Sequence, residues 1–160
     1  MPRPVSPNVF RAILCPIDFS PNSRDAVRYG AMLARLADAR LVVVHVTDPL
    51  LVAAASSRRA AADVLLATER ELQRFVNSAL RTSSPQPDVQ LVAVGGNAPR
   101  KIVATAERRE CQLIVMGYRG AGRASRLLFG STTEGVLRLS SVPVVAVPPS
   151  RRRRDRPRAA

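Results

Sequence analysis

Histidine is nearly missing from this chain: His45 is the single one, and cysteine is limited to Cys15 and Cys111. Neither C-x-x-C nor H-E-x-x-H occurs, which argues against zinc, and a Ser or Cys nucleophile has no second imidazole to act as its base. No G-x-x-x-x-G-K-[ST] is present, which excludes a P-loop ATPase. No stretch approaches the roughly 18 unbroken apolar residues of a membrane-spanning helix. The opening MPRPVSPNVFRAIL lacks the apolar core and small-residue cleavage site of a secretion signal, so the expected location is the cytoplasm and no membrane partner is expected. Acidic residues are scarce, 12 against 25 basic ones, for a net charge of +13. Arg151, Arg152, Arg153, Arg154, Arg156 and Arg158 against Asp155 supply five of those charges, which leaves +8 on the body. Such a surplus favours anionic partners without choosing among them.

What is present suits one globular domain. The 160 residues are 46% hydrophobic and 23% charged, and a chain of this size buries roughly 70% of its unfolded surface without disulfide help. Short β-branched runs alternate with longer stretches of helical spacing, the pattern of an open α/β fold with a mainly parallel sheet. Strands are expected at Phe10–Ile17, Leu41–Val46, Val89–Val94, Leu113–Met116 and Val142–Val147. After the first, Ser20 suits an N-cap and Pro21 the first helical position. That helix should run to about Leu36 and lay Ala26, Tyr29, Leu33, Leu36 and Ala37 against the sheet. Leu41–Val46 reads as a strand buried on both faces. The Ala- and Ser-rich residues 53–62 fit either a loop or the start of the next helix. From Asp63 onward Leu65, Leu72, Phe75, Val76, Ala79 and Leu80 form a helical stripe, ended by Ser83-Ser84-Pro85-Gln86-Pro87. Gly95-Gly96-Asn97-Ala98-Pro99 turns into a short helix carrying Ile102, Val103 and Ala106, and a last helix is expected from Ser131 to Leu139.

The strongest constellation is Gly117-Tyr118-Arg119-Gly120 followed, after nine intervening residues, by Gly130-Ser131-Thr132 at a helix start. Glycines let the backbone approach a ligand, and the free N–H groups of a helix N-terminus bind phosphate oxygens. This loop leaves the C-terminal end of a parallel strand, where open α/β sheets place their ligands. A tight turn with ordinary capping fits the glycines alone equally well. Asp18, just past the first strand, should emerge at the same edge, either to accept hydrogen bonds from a ribose or adenine amine or to cap the helix in an Asx-turn. His45 lies inside an apolar strand and reads as structural rather than as a base. Arg119, Arg123 and Arg126 fit phosphate neutralisation and a solvated basic face equally. Gly120-Ala121-Gly122-Arg123-Ala124-Ser125 comes too late in its unit for a dinucleotide fingerprint.

Over residues 8 to 149 the chain resembles the universal stress protein family. The likeness rests on Ile13-Leu14-Cys15-Pro16-Ile17-Asp18-Phe19-Ser20, on Val44-His45-Val46, and on Leu113-Ile114-Val115-Met116-Gly117. It also rests on Gly130-Ser131-Thr132-Thr133-Glu134-Gly135-Val136-Leu137-Arg138 and on Val142-Pro143-Val144-Val145-Ala146-Val147. The resemblance implies a five-stranded parallel sheet in the order 3-2-1-4-5, Rossmann-like, with helices on both faces, and the intact glycine motif marks the ATP-binding type. Carried over by residue, Pro16, Ile17 and Asp18 would line the adenosine and Val46 would pack by the adenine. Met116, Gly117 and Gly120 would begin the phosphate loop, with Gly130, Ser131 and Thr132 gripping the phosphates. One departure is Gln112, where members usually carry Asp, and it bears on local packing rather than on the ligand loop.

The implied function is an ATP-binding regulatory module in stress response, with ATP or AMP as ligand and Mg2+ as an optional companion. The alternative is a slow ATP hydrolase or adenylate-transfer enzyme in the same pocket, with Asp18 and Glu134 as weak candidates for a base. No catalytic or metal-binding residue is assigned. The order 3-2-1-4-5 leaves Val142–Val147 at an edge, where Pro143 is tolerated, and suggests a homodimer paired through that strand. Residues 150–160 are expected to be a disordered arginine-rich tail, with incidental contact to nucleic acid.

Overall fold

The structure, a computed structural model, describes residues 10–55, 57–119 and 129–150. Within them five strands, β1 (Ala12–Ile17), β2 (Arg40–Thr47), β3 (Val89–Gly95), β4 (Leu113–Gly117) and β5 (Val144–Val147), form one parallel sheet in the order β3-β2-β1-β4-β5. The helices are α1 (Pro21–Ala37), α2 (Pro49–Ala53), α3 (Arg58–Leu80), α4 (Ala98–Arg108) and α5 (Ser131–Leu139). This is the expected topology. Gly120, Arg123, Arg126 and the arginine tail lie outside the described residues.

Side-chain alternation explains why the central strands read as unbroken apolar runs. Ile13, Cys15, Ile17, Leu41, Val43, Leu113 and Val115 point to one face and pack against α1 and α3. Leu14, Val42, Val44, Ile114 and Met116 point to the other and pack with Ile102, Val103 and Ala106 of α4 and Val136 of α5. A strand covered on both faces needs an apolar side chain at every position. Every residue of β1 is accordingly buried.

The stripe expected for α1 is corrected. Ala26 is buried and Leu33 and Ala37 pack part-buried against the core, but Tyr29 and Leu36 are exposed, Leu36 at 79%, and the buried seam runs through Ala26, Val27, Gly30, Ala31 and Ala34. Small residues bring the helix close to the sheet, and a Cβ on Gly30 would stand 3.3 Å from Leu41 Cδ1. The α3 stripe forms as expected, with Leu72, Phe75, Val76, Ala79 and Leu80 buried. The open stretch at 53–62 divides: α2 ends at Ala53, and α3 begins at Arg58 behind Ser57, whose hydroxyl accepts from the Ala60 N–H at 3.1 Å. β5 starts two residues later than expected. Pro143 has no N–H to donate and contributes only its carbonyl, to the Ile114 N–H at 3.0 Å.

Gln112 takes up a structural duty that an acceptor-bearing side chain is needed for. Its Oε1 accepts from the backbone N–H groups of Arg11 at 2.7 Å and Ala12 at 3.1 Å, and its Nε2 donates to the Glu110 carbonyl. An amide oxygen serves there as a carboxylate would. Burial pushes the Cys15 thiol up to about 12 and that of Cys111 up to about 11. Both cysteines are therefore neutral packing residues at physiological pH.

Leu41→Ala should lower stability by about 2–5 kcal/mol, because Leu41 is fully buried. Leu36→Ala should change it by less than about 0.5 kcal/mol. Urea unfolding of both variants checks the corrected stripe, and equal losses would restore the original one.

Candidate functional site

Because every strand is parallel, the turns that leave β1, β2 and β4 all open at one edge of the sheet. They meet the start of α5 there around a cavity of about 400 Å3. Its lining includes Pro16, Ile17 and Asp18 from β1, Val46 from β2, Met116 and Gly117 from β4, and Gly130, Ser131 and Thr132 from the head of α5. Every described residue that the resemblance carries over to the ligand site thus lines one cavity, while Gly120, Arg123 and Arg126 fall outside the described residues and Glu134 is not in the lining. Ser23, Val44, His45, Ala98, Ile102, Arg119 and Thr133 complete the wall. Ala98 and Ile102 were not read as site residues because Ile102 reads as core and α4 reaches the cavity through tertiary packing on β2 and α5. Gly135 permits that approach, since a Cβ there would stand 2.7 Å from Pro99 Cγ.

The side chain that joins the two loops is Asn22, near the start of α1, and no sequence motif flagged it. Its Oδ1 accepts from the Arg119 N–H at 2.9 Å, and its Nδ2 donates to the Val147 carbonyl at 3.0 Å. The Tyr118 N–H reaches the same carbonyl at 2.7 Å. A buried amide that satisfies groups on two distant segments fixes their relative position. Gly117 must lack a side chain here, since a Cβ would lie 3.0 Å from Asn22 Oδ1 and 3.2 Å from the Arg119 carbonyl. Thr133 adds a second tie, donating from Oγ1 to the Gly117 carbonyl at 3.0 Å.

The head of α5 is open to a ligand. Gly130 occupies the N-cap without a side-chain cap hydrogen bond. The first intrahelical bond closes from the Glu134 N–H to the Gly130 carbonyl at 2.9 Å. The N–H groups of Ser131, Thr132 and Thr133 therefore have no acceptor within the helix, and the helix dipole adds positive potential where they point.

Asp18 takes the capping use foreseen for it, at the wall of the cavity. Its Oδ1 accepts from the Ser20 N–H at 3.1 Å and from the Ser23 hydroxyl, so it organises the start of α1 while lining the cavity. Between Asp18 and Ser20, Phe19 sits at φ 62, a left-handed conformation that costs a non-glycine residue roughly 1–2 kcal/mol. Its ring is held 4.6 Å from the His45 ring and 5.5 Å from that of Phe75. Aromatic packing of this kind offsets the backbone cost. His45 donates from Nδ1–H to the Ile17 carbonyl at 2.9 Å, the structural role expected of it. Arg119 lays its guanidinium 5.5 Å over the Tyr118 ring.

One part of the wall is therefore apolar, with Ile17, Val44, Val46, Ile102 and Met116, and another is polar, with Asp18 and Gly130 to Thr133. That division suits a ligand with a flat apolar part and an anionic part. Glu134 is directed elsewhere, to an ion pair with Arg138 at 2.7 Å. Among the described residues no three His, Cys, Asp or Glu side chains gather to hold a metal ion.

Asn22→Ala would remove the side-chain acceptor of the Arg119 N–H and one of the two donors to the Val147 carbonyl, at an expected cost of about 1–3 kcal/mol. Amide hydrogen exchange should accelerate in β5 and at Arg119 while β1 to β3 keep their protection. Uniform acceleration throughout the sheet would show that Asn22 supports the fold generally rather than this junction.

Comparison with known proteins agrees with the geometry. A family profile, that of the universal stress protein family, matches residues 10–148. A universal stress protein of Mycolicibacterium smegmatis is 30% identical over 139 residues, which cover 84% of this chain and 47% of that protein, so the chain spans about half the length of this relative. The solved structure of protein MJ0577, from Methanocaldococcus jannaschii, superposes with a TM-score of 0.71 at 24% identity, covering 89% of this chain and 98% of that one. A universal stress protein in complex with cAMP gives a TM-score of 0.62 at 24% identity over 88% of this chain and 98% of its own. One from Archaeoglobus fulgidus in complex with dAMP gives 0.64 at 20% identity over 87% and 98%. With the expected sheet order, the cavity at the expected edge and a profile match over most of its length, the chain belongs to the universal stress protein family.

Proposed function

We propose that this chain is an ATP-binding regulatory module of the stress response, with AMP as the competing ligand. The observation that carries this reading is the open N-terminus of α5 beside Gly117, facing an apolar slot across the same cavity. In this arrangement Ile17 and Val46 flank the adenine, and Pro16 and Asp18 approach the ribose. Met116, Gly117 and Gly120 start the phosphate loop, and Gly130, Ser131 and Thr132 donate to the phosphates. The cAMP and dAMP complexes of structural neighbours support an adenine nucleotide as the ligand class. Described side chains do not form a metal cage, so a Mg2+ ion arriving with the nucleotide would be held mainly by phosphate oxygens.

Isothermal titration with ATP and AMP tests the assignment. Gly130→Val should weaken ATP binding far more than it lowers the melting temperature, by closing the backbone approach. Asp18→Ala should weaken it by about 1.5–3 kcal/mol. Unchanged affinity in both variants would refute the site.

Among the described residues the two candidate bases are engaged elsewhere, Asp18 with Ser20 and Ser23 and Glu134 with Arg138. Turnover of ATP should accordingly fall well below the common enzyme range of about 1–10³ per second. A rate within that range in rigorously purified protein would instead support the hydrolase reading.

The same proposal includes a cytoplasmic homodimer joined through β5, with residues 8–149 as the working domain and the arginine tail dispensable for nucleotide binding. Support comes from the position of β5 at the sheet edge and from the part-buried Val144, Val145 and Ala146 along it. Light scattering at micromolar concentration should show a dimer that Val145→Lys converts to a monomer. A dimer indifferent to that substitution would place the interface elsewhere.

A further inference from the structure

A second cavity, of about 390 Å3, lies at the opposite edge of the sheet, where the strands begin. Its lining includes Arg11 before β1, Arg35 in the last turn of α1, Arg40 at the start of β2, and Asp38, Gln86 and Asp88 from the adjoining turns. Two of these arginines bury polar atoms that the protein leaves without an acceptor: Nη1 of Arg35 and Nε of Arg40. Among the described residues the ion pairs are Arg28–Asp25 and Arg138–Glu134, so neither Asp38 nor Asp88 neutralises the three guanidinium groups by direct pairing. A buried guanidinium N–H without an acceptor is costly, and the group's planar fork fits the paired oxygens of a phosphate.

We propose that this cavity binds a small phosphate monoester, as a second site remote from the nucleotide pocket. Arg35 and Arg40 take the phosphate from within the cavity, and Arg11 adds charge at the rim. The two aspartates and the C-terminal dipole of α1 oppose a bare anion. They favour a ligand whose phosphate is joined to a body bearing hydroxyl donors, for which Asp38, Asp88 and the Gln86 carbonyl are acceptors. Asp38 is positioned by the end of α1, and Arg40 by the segment that leads into β1. The Asp38 backbone sits at φ 51 and donates to the Arg35 carbonyl at 3.3 Å, and the Arg40 N–H donates to the Arg11 carbonyl at 3.0 Å. A ligand here would thus bridge the end of α1 to the starts of β1 and β2.

The test is a site-resolved titration of the full chain, using amide NMR with inorganic phosphate and then glycerol 3-phosphate, against sodium chloride at matched ionic strength. Saturable shifts are expected at the amides of Arg35, Asp38, Arg40 and Asp88, with glycerol 3-phosphate binding at least as tightly as phosphate. The pair Arg35→Gln and Arg40→Gln should weaken this binding by about tenfold or more and leave any shifts at Gly130 and Ser131 unchanged. Substitution of the exposed Arg11, Arg11→Gln, leaves Arg35 and Arg40 in place, provides a folded variant should the double one fail, and should weaken binding by about threefold. Shifts reproduced by chloride, shifts confined to Gly130 and Ser131, or an affinity indifferent to these arginines would overturn the proposal. The nucleotide assignment would stand in each of those cases, since it is read at a different edge.

Discussion

The burial of β1 is the constraint from which the rest of the architecture follows. Six consecutive residues, Ala12 to Ile17, are enclosed between β2 and β4 in the sheet and between two helical layers above and below. Such a strand can satisfy its backbone only through both neighbours, and its side chains only through both layers. Its end is therefore fixed from four sides. Asp18 and Phe19 emerge from that fixed end, and the cavity is built around it.

Rigidity at the carboxyl edge comes from a few polar ties rather than from the extended core. Asn22, Ser23 and Thr133 are all buried, and each bonds to a turn rather than to its own helix. Through them α1 and α5 are locked to the same backbone segment around Gly117. The apolar layers position the helices to within a turn, and these ties settle the remaining geometry. The left-handed Phe19 belongs to the same set, held by rings from β2 and α3.

Strand positions, the start of α1 and the glycine-hydroxyl motif were legible in the sequence because they depend on local signals, whereas the strand order and the residue-by-residue lining came from the resemblance to the universal stress protein family. β-branched runs mark strands, Ser20-Pro21 marks a helix start, and glycines with hydroxyls mark an open N-terminus. The α1 seam was misread because apolar size was taken for burial. The helix lies so close to the sheet that alanine and Gly30 fill the contact, and Tyr29 and Leu36 are pushed outward. Asn22 was invisible for another reason. Its partners are 97 and 125 positions away, and nothing in its neighbourhood distinguishes it from an ordinary second residue of a helix. The arginine cavity at the other edge was hidden likewise, since its residues are dispersed over three segments of the chain and converge only in the folded sheet.

The pairing order also imposes a sequence of events on synthesis. β1, β2 and β3 neighbour one another in chain order, so with α1 and α3 they can assemble as soon as Gly95 has emerged. β4 must then return to the open side of β1, pairing Ile13 with Leu113 across one hundred residues of chain. Contacts of such separation form late because the intervening loop must first be closed. Until they form, one side of the first strand made is an exposed apolar edge, open to wrong partners in a crowded ribosomal neighbourhood. The ligand cavity, which requires β4 and the head of α5, is consequently among the last parts of the molecule to exist. Any ligand of that cavity could therefore stabilise the chain only after β4 and α5 have been made.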